Sequence, residues 1–155
     1  MNFVITAGGS CVELPLGDEL VRQHFDAESS LVQCLLQQIN LFRAYEHIFR
    51  GRKHLTLLDL GANIGLVSVY ASDVCDHIVA VEPAPKTFAV LERIALKVVN
   101  ISTIRAAVAA KDGECIFHVN DINTTANSAV NTYGDEIKVN GMTLQSIIQG
   151  RSLDH

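Results

Sequence analysis

The middle of the sequence predicts an α/β protein with a parallel, doubly wound sheet in a three-layer αβα arrangement. LTLLDL at 55–60 and HIVAVE at 77–82 are almost uninterrupted apolar runs, which are typical of strands buried on both faces. A helix-like segment follows each run, and STIRAAVA at 102–109 predicts a third strand. This β-α-β-α-β order predicts right-handed crossovers, with helices covering the sheet.

The first 53 residues predict a hairpin and a packing helix that precede this sheet. FVIT and CVEL flank a turn at Ala-Gly-Gly-Ser, and Pro15 ends the second strand. From Leu31 to about residue 49 apolar residues recur at helical spacing, and Gly51 ends the pattern. We therefore expect a division into residues 1–53 and 54–155, without internal repeats or a linker.

Two helices are expected between the core strands. Residues 64–75 suit the first helix. Pro85 can occupy the first turn of the second helix, which is expected to run to about Asn100. The residues expected to face inward from this second helix are Phe88, Leu91, Ile94, Ala95 and Val98.

The pattern changes after the third strand. A turn precedes CIFHV at 115–119, which nearly alternates as a strand does, and the polar residues 120–134 are predicted to form a loop. EIKV at 136–139 predicts a strand that ends in a turn at Asn140-Gly141. The segment MTLQSII then predicts the start of a short helix.

Composition and charge exclude several classes of protein. Hydrophobic residues make up 48% of the 155 residues, which is enough to form a hydrophobic core, and disorder is not expected. A formal net charge of -5 without a Lys/Arg cluster disfavours a nucleic-acid binder. No signal peptide is recognisable, and no apolar run approaches the ~20 residues of a membrane span. We therefore expect a cytoplasmic protein that uses neither nucleic acid nor a membrane.

The cysteines and histidines do not predict a metal site. The four cysteines lie in apolar contexts without a CxxC motif, which fits free thiols in a reducing compartment. The six histidines are scattered, and no Cys/His pair has the spacing of metal ligands. The cysteines are Cys11, Cys34, Cys75 and Cys115.

A glycine-containing turn, DLGANIG, follows the first core strand and predicts a ligand site. In open α/β sheets ligands bind beyond the carboxyl ends of the strands. Gly61 permits a positive φ and a close approach of backbone to ligand, and Gly65 is expected to let the next helix approach the strand. Free N–H groups at that helix start favour an anionic group, whereas Asp59 can accept hydrogen bonds or face a cationic group.

The second core strand ends in an acid that completes a nucleoside site. Glu82 lies 21 residues beyond Gly61 (82 minus 61), the separation expected for an acid that holds a ribose. One carboxylate offers two acceptor oxygens to two vicinal hydroxyls. The alternative is a glycine turn that serves packing only, with Glu82 solvated.

The glycine spacing favours S-adenosylmethionine over a dinucleotide. The dinucleotide fingerprint is GxGxxG, whereas this chain has GANIG at 61–65. A ligand with an amino acid in place of the pyrophosphate does not need the extra close approach. Asp59 could then serve its ammonium side, and an NAD-dependent oxidoreductase remains the weaker alternative.

DLGANIGLVSVYAS, VAVEPAPKTFAVLERIALKVVN and AAVAAKDGECIFHV together resemble the FkbM-type S-adenosylmethionine-dependent methyltransferases. The resemblance runs from about Leu57 to Ile148. Its most specific parts are D-x-G-A-N-x-G, the E-P after the second strand and the A-x-x-x-x-D-G-E turn. It implies a Rossmann-like class I methyltransferase fold and methyl transfer to a hydroxyl of a sugar or small natural product.

The resemblance also implies roles for individual residues. The residues that would line the methionine end of the cofactor are Asp59, Gly61, Ala62, Asn63 and Gly65. Glu82 would hold the ribose, and Pro83 would shape the pocket beside it. Ala107, after the third strand, would contact the adenine.

Members of this family continue into a fourth core strand with a K-x-D-x-E-G type motif, which has no match here. The sheet is therefore expected to be incomplete at its C-terminal side, leaving an apolar outer edge on the first strand. Such an edge invites pairing with another chain. We expect a fragment, a homo-oligomer or an assembly with a separate second half.

The catalytic residues are not identified by the sequence. A hydroxyl acceptor needs a positioned partner and can need a general base. His118 and Asp121 are the conceivable bases, and Asn127 and Ser128 lie in a loop that could face the substrate. The alternative to a small-molecule methyltransferase is an inactive or truncated module that binds the cofactor or a protein.

Overall fold

The computed structural model of the chain describes residues 2–7, 10–15, 47–119 and 134–149. Strands β1 (Asn2–Ala7) and β2 (Ser10–Pro15) form the predicted antiparallel hairpin. The hairpin lies beside the first core helix. Of the helix predicted from residue 31, only 47–49 belong to the described part, and they are helical.

The core is a three-stranded parallel sheet, as the apolar runs predict. It consists of β3 (Leu55–Leu60), β4 (Cys75–Val81) and β5 (Ile101–Ile104), in the order β3-β4-β5. Both pairings are parallel. Within the described residues β3 pairs on one side only, with β4, so its other edge is the edge of the sheet.

Helices α1 (Leu66–Ala71) and α2 (Pro85–Ala95) contribute to one core cluster with this sheet. Pro85 starts α2, where its missing N–H costs nothing. The apolar side of α2 is buried at Val90, Leu91 and Ile94, whereas Glu92 and Arg93 are exposed. Phe88, Ala95 and Val98 pack against the cluster, which confirms the predicted inward face.

The other face of the sheet is covered by α3 (Leu144–Gln149). Ile147 of α3 is fully buried with Val79 and Val81, whereas the alternate residues Ile78 and Ala80 of β4 belong to the first cluster. Successive side chains of a strand point to opposite faces, so the two clusters lie on opposite sides of the sheet. The chain thus has the predicted α/β, Rossmann-like arrangement of helices on both faces of parallel strands.

The prediction of one strand over 102–109 is wrong, because the chain changes sheets at Arg105 and Ala106. Ile104 pairs with Val81, the last residue of β4, and the Glu82 N–H donates to the Ile104 carbonyl. Beyond this point β4 offers no partner. The chain therefore continues as β6 (Ala107–Val108) in a second sheet.

The second sheet has the order β6-β8-β7, with β7 at Gly113–Val119 and β8 at Asp135–Met142. The two long strands form an antiparallel ribbon, and β6 runs parallel to β8. We refer to β7 and β8 together as the ribbon. Residues 120–133, which include most of the predicted loop, lie outside the described residues.

The predicted turn at Asn140-Gly141 is also wrong, because β8 runs through both residues. A Cβ on Gly141 would lie 2.9 Å from the Gly113 carbonyl oxygen and 3.1 Å from the Cys115 Sγ. This glycine therefore permits close packing of two backbones, and no turn is needed to explain it.

The last helix starts two residues later than predicted because Thr143 caps it. The Thr143 Oγ1 accepts a hydrogen bond from the Ser146 N–H at 3.1 Å. Asp112 of the D-G-E turn accepts hydrogen bonds from the Thr143 N–H at 2.6 Å and from the Ser146 hydroxyl at 2.5 Å. These contacts attach the turn before β7 to the start of α3.

Two further observations concern the side chains. Cys75 is a buried free thiol, as expected, and Cys115 is a half-buried one, whereas Cys11 and Cys34 lie outside the residues whose side chains are described. None of the helices described is long and apolar enough to cross a membrane.

Candidate functional site

The glycine turn folds back over the carboxyl end of β4. Gly61 (φ 80), Asn63 (φ 52) and Gly65 (φ 87) all adopt left-handed backbone conformations. The N–H groups of Gly61 and Ala62 both donate to the Val81 carbonyl at 2.9 Å. A Cβ on Gly61 would meet no atom within 4 Å, so the turn leaves open space at the end of β3.

Glu82 lies directly beneath this turn and is held by two backbone groups. Its side chain is only 5% exposed. The Oε2 atom accepts a hydrogen bond from the Asn63 N–H at 3.0 Å, and the Oε1 atom accepts one from the Ala84 N–H at 3.0 Å. Because each carboxylate oxygen can accept two hydrogen bonds, both oxygens keep capacity for hydroxyl groups of a ligand.

Asp59, at the carboxyl end of β3, holds the first turn of α1. Its Oδ2 accepts a hydrogen bond from the Ser68 hydroxyl at 2.7 Å, and the Ser68 backbone N–H also donates to it. A carboxylate at this position satisfies donors that the start of a helix leaves without intrahelical partners. Ser68 is not among the site residues predicted from the sequence, although it lies in the first turn of α1 after the glycines.

The two acids form a desolvated pair of like charges. Burial raises the pKa of Asp59 above its usual value, and the hydrogen bonds from Ser68 only partly oppose this. Burial likewise raises the pKa of Glu82, and the negative charge of Asp59 adds to the increase. In the described part of the chain neither acid forms an ion pair with a Lys, Arg or His side chain. The pair would therefore interact favourably with a cationic ligand.

A glycine is needed at position 65 because α2 packs closely against it, and this neighbour differs from the predicted one. A Cβ at this position would lie 2.5 Å from the Leu91 Cδ1 of α2. The close approach is therefore between the glycine turn and α2, whereas the sequence predicts an approach of α1 to the strand.

The N–H groups of the glycine turn before α1 are largely engaged within the protein. The amides of Gly61 and Ala62 bind the Val81 carbonyl, that of Asn63 binds Glu82, and that of Gly65 binds the Ala62 carbonyl at 2.8 Å. The Asn63 amide thus faces a protein carboxylate. Sequence reasoning missed this contact because it joins residues 19 apart.

The structure brings together all but one of the predicted cofactor residues. These lie at the adjacent carboxyl ends of β3 and β4, and they are Asp59, Gly61, Ala62, Asn63, Gly65, Glu82 and Pro83. Ala107 lies in β6 of the second sheet, is 3% exposed and packs with Ala84 and Phe117. The contact of Ala107 with an adenine stays a prediction.

Of the four residues considered for catalysis or substrate contact, His118 lies in the described part of the chain. His118 is half-buried on β7 opposite Glu136, whereas Asp121, Asn127 and Ser128 lie outside the described residues. The described residues contain no group of three or more His, Cys, Asp or Glu side chains that could hold a metal ion.

No protein-family model and no curated protein matches the sequence. Among solved structures, the YcgJ protein from Bacillus subtilis is 17% identical, with a TM-score of 0.40 over 46% of this chain and 32% of that chain. The precorrin-6y C5,15-methyltransferase from Geobacter metallireducens is 23% identical, with a TM-score of 0.38 over 43% and 37%.

A third solved structure, Trm5b from Pyrococcus abyssi, is 15% identical, with a TM-score of 0.40 over 66% of this chain. The matched part spans 27% of that protein, so each of these three relatives is matched over less than half of its length. At these TM-scores the similarities do not establish a shared activity.

Proposed function

We propose that the chain binds S-adenosylmethionine at the carboxyl ends of β3 and β4 and takes part in methyl transfer. The observation that carries the proposal is Glu82, a buried carboxylate fixed by two backbone N–H groups next to a turn with open space. A carboxylate in a fixed position is suited to bind the two hydroxyls of a ribose, because its remaining lone pairs are acceptors only.

The charge of the site supports this cofactor over a dinucleotide. Both Asp59 and Glu82 are desolvated, and the negative charge of Asp59 further raises the pKa of Glu82. A sulfonium and an ammonium group would offset this charge, whereas a pyrophosphate would be repelled. The absence of the GxGxxG spacing points the same way.

Different residues of the site would contact different parts of S-adenosylmethionine. Glu82 would accept hydrogen bonds from the ribose, and Pro83 would border it. Gly61 would allow the ligand close to the backbone, and Asp59 would face its ammonium side. When bound, S-adenosylmethionine supplies a methyl group from a positively charged sulfur.

The sequence motifs support a more specific proposal for the family and for the methyl acceptor. The D-x-G-A-N-x-G, E-P and D-G-E motifs support an FkbM-type methyltransferase, with a hydroxyl of a sugar or small natural product as acceptor. Asp112 of the D-G-E motif accepts hydrogen bonds at the start of α3. We therefore assign this motif a structural role, in which it joins the turn before β7 to α3.

A second candidate function is a cofactor-binding module that acts only within a larger assembly. The edge of β3 favours it, because this apolar strand is paired on one side only in the described residues. Sedimentation of the chain together with assays of turnover would separate the two functions. A monomer that transfers methyl groups would contradict the second candidate.

Calorimetric titration of the whole chain with S-adenosylhomocysteine tests the cofactor site. Wild-type protein is expected to bind with a micromolar Kd, which corresponds to about -8 kcal/mol. Glu82→Gln keeps the size of the side chain but replaces one acceptor oxygen by a donor, so a loss of tenfold or more is expected. The matched control is Glu92→Gln on the exposed side of α2, which should bind as wild type does.

Circular dichroism would establish that each variant is folded. If folded wild-type protein does not bind S-adenosylhomocysteine, the cofactor proposal fails. A parallel titration with a nicotinamide dinucleotide would show whether the dinucleotide alternative takes its place.

A further inference from the structure

A cleft of about 380 Å³ opens beside the Glu82–Ala84 segment and lies between the core sheet and the ribbon. Pro83 lines it from the loop after β4, and Pro85 lines it from the first turn of α2. Arg105 lines it from the link between β5 and β6. Glu114, Lys138 and Asn140 line it from the ribbon. Its volume is within the range of small-molecule sites.

The charges of this cleft differ from those of the neighbouring acid pair. Lys138 and Glu114 form an ion pair at 2.7 Å, so these two charges largely offset each other. Arg105 adds a second cation, and the lining as a whole is positive in a chain whose net charge is -5. A positive cleft in an acidic protein is an attractive site for an anion.

Arg105 has features that suit it to a ligand. Within the described residues it forms no hydrogen bond or ion pair, and its side chain is exposed. Its backbone is nevertheless well anchored, because the next two residues, Ala106 and Ala107, are 0% and 3% exposed. A guanidinium presents a planar set of donors that can bind phosphate or carboxylate through two hydrogen bonds.

The other lining groups extend this donor set. The Asn140 side chain can donate through its amide, and the Lys138 ammonium has three donors, of which the ion pair with Glu114 uses a part. The ribbon and the β5–β6 link therefore both present donors to the same cleft.

We propose that this cleft binds the phosphate or carboxylate group of the molecule that accepts the methyl group. The inference rests on the proposed function for the identity of the ligand, but the anion site itself rests on the cleft alone. The acidic side, at Asp59 and Glu82, would then receive the cationic methyl donor, and the basic side would orient an anionic acceptor. The acceptor would be a small hydroxylated molecule that also carries a phosphate or carboxylate.

The test is a titration of the whole ¹⁵N-labelled chain followed by NMR, with inorganic phosphate and acetate as probes and chloride as the ionic-strength control. Phosphate or acetate should produce saturable shifts of the amides of Arg105, Ala106 and Asn140 that chloride does not produce. The stronger of the two probes identifies the anion. Arg105→Gln should weaken this binding at least fivefold, whereas Arg52→Gln, an exposed arginine outside the cleft, should not change it.

The affinity for S-adenosylhomocysteine distinguishes failure of this inference from failure of the proposed function. Arg105→Gln should keep that affinity within twofold, and Glu82→Gln should lose it while retaining the phosphate-induced or acetate-induced shifts. Shifts that match those of chloride, or that persist in Arg105→Gln, would overturn the anion site. An equal loss of both ligands in Arg105→Gln would assign the cleft to the cofactor and overturn the inference. If the anion binds but S-adenosylhomocysteine does not, the anion site stands and the methyl acceptor is withdrawn together with the proposed function.

Discussion

The parallel sheet and the ribbon differ in how deeply they bury their residues and the carboxyl groups beside them. Strand β4 of the parallel sheet buries five of its seven residues, whereas β8 of the ribbon buries one of its eight. Accordingly the Asp59 carboxyl at the end of β3 is desolvated and has a raised pKa. The Asp112 carboxyl before β7 is solvated, and hydrogen bonds from Ser146 and Thr143 lower its pKa.

The carboxylates suited to bind a ligand and the carboxylate that stabilises the fold lie in different parts of the molecule. A desolvated carboxylate interacts strongly with a ligand charge, and it also costs folding free energy. A solvated carboxylate that receives several hydrogen bonds supports the fold at little cost. The candidate cofactor site accordingly uses the acids of the parallel sheet. The ribbon supplies attachment through the turn before β7, and Arg105 of the β5–β6 link supplies the uncompensated positive charge of the cleft.

The largest effect is expected for Gly65→Ala, in the glycine turn that follows β3 of the parallel sheet. The new Cβ would lie 2.5 Å from the Leu91 Cδ1, on a backbone whose φ is 87°. Strain in the left-handed region and overpacking together should lower the free energy of unfolding by about 3 kcal/mol. Urea unfolding monitored by circular dichroism would measure it.

Gly61→Ala is the matched control, because it has φ 80 and no atom within 4 Å of the new Cβ. It should cost only about 1 kcal/mol from backbone strain. If both variants lose the same free energy of unfolding, the contact with Leu91 does not contribute to the cost of Gly65→Ala.

In the ribbon, Gly141→Ala should be the next most damaging change. Its Cβ would approach the Gly113 carbonyl oxygen to 2.9 Å and the Cys115 Sγ to 3.1 Å. We expect a loss of about 2 kcal/mol through overpacking, without the strain of a positive φ. Chemical denaturation measures the loss, and Gly113→Ala distinguishes it from backbone strain, since Gly113 has φ 130 and no atom within 4 Å.

The contributions of Asp59 and Asp112 to the free energy of unfolding should change with pH in opposite directions. The folded pKa of Asp59 is raised, so its contribution to stability decreases as pH rises from the usual 3.8 through the raised value. The folded pKa of Asp112 is lowered, so its contribution is present above 3.8 and is lost as pH falls through the lowered value. Unfolding experiments across pH on wild type, Asp59→Asn and Asp112→Asn would measure both.

The expected readout is the difference in unfolding free energy between wild type and each variant. For Asp59→Asn this difference should fall with rising pH above 3.8, and for Asp112→Asn it should rise with pH below 3.8. Slopes of the same sign would contradict the contrast between the two sheets. Asp76→Asn, an exposed acid beside His54, serves as the control variant.

The smallest effect is expected for the ion pair on the ribbon. Lys138 and Glu114 have side chains 72% and 64% exposed, so water and salt screen their attraction. Lys138→Gln should therefore change the thermal unfolding temperature little, and less still in high salt. A large decrease in that temperature would mean that the pair also packs the ribbon against the core.

Sequence patterns predicted the parallel sheet well because each signal is local. The runs LTLLDL and HIVAVE, Pro85 and the spacing of Leu91 and Ile94 each lie within a few residues. The second sheet was predicted less accurately, because the break at Arg105 that precedes β6 depends on where β4 ends. Similarly, Gly141 resembled a turn residue until its contact with Gly113 showed why a side chain is excluded.

The amino-acid sequence by itself determined the order of elements, the apolar faces and the placing of Asp59, the glycine turn and Glu82 at strand ends. Those features follow from local periodicity and from the conformational freedom of glycine. Only the tertiary structure decided that Glu82 binds the Asn63 amide 19 residues away and that Asp112 binds Ser146 34 residues away. Such contacts depend on how β4 and α3 pack, because desolvation and long-range hydrogen bonds arise only when distant segments meet.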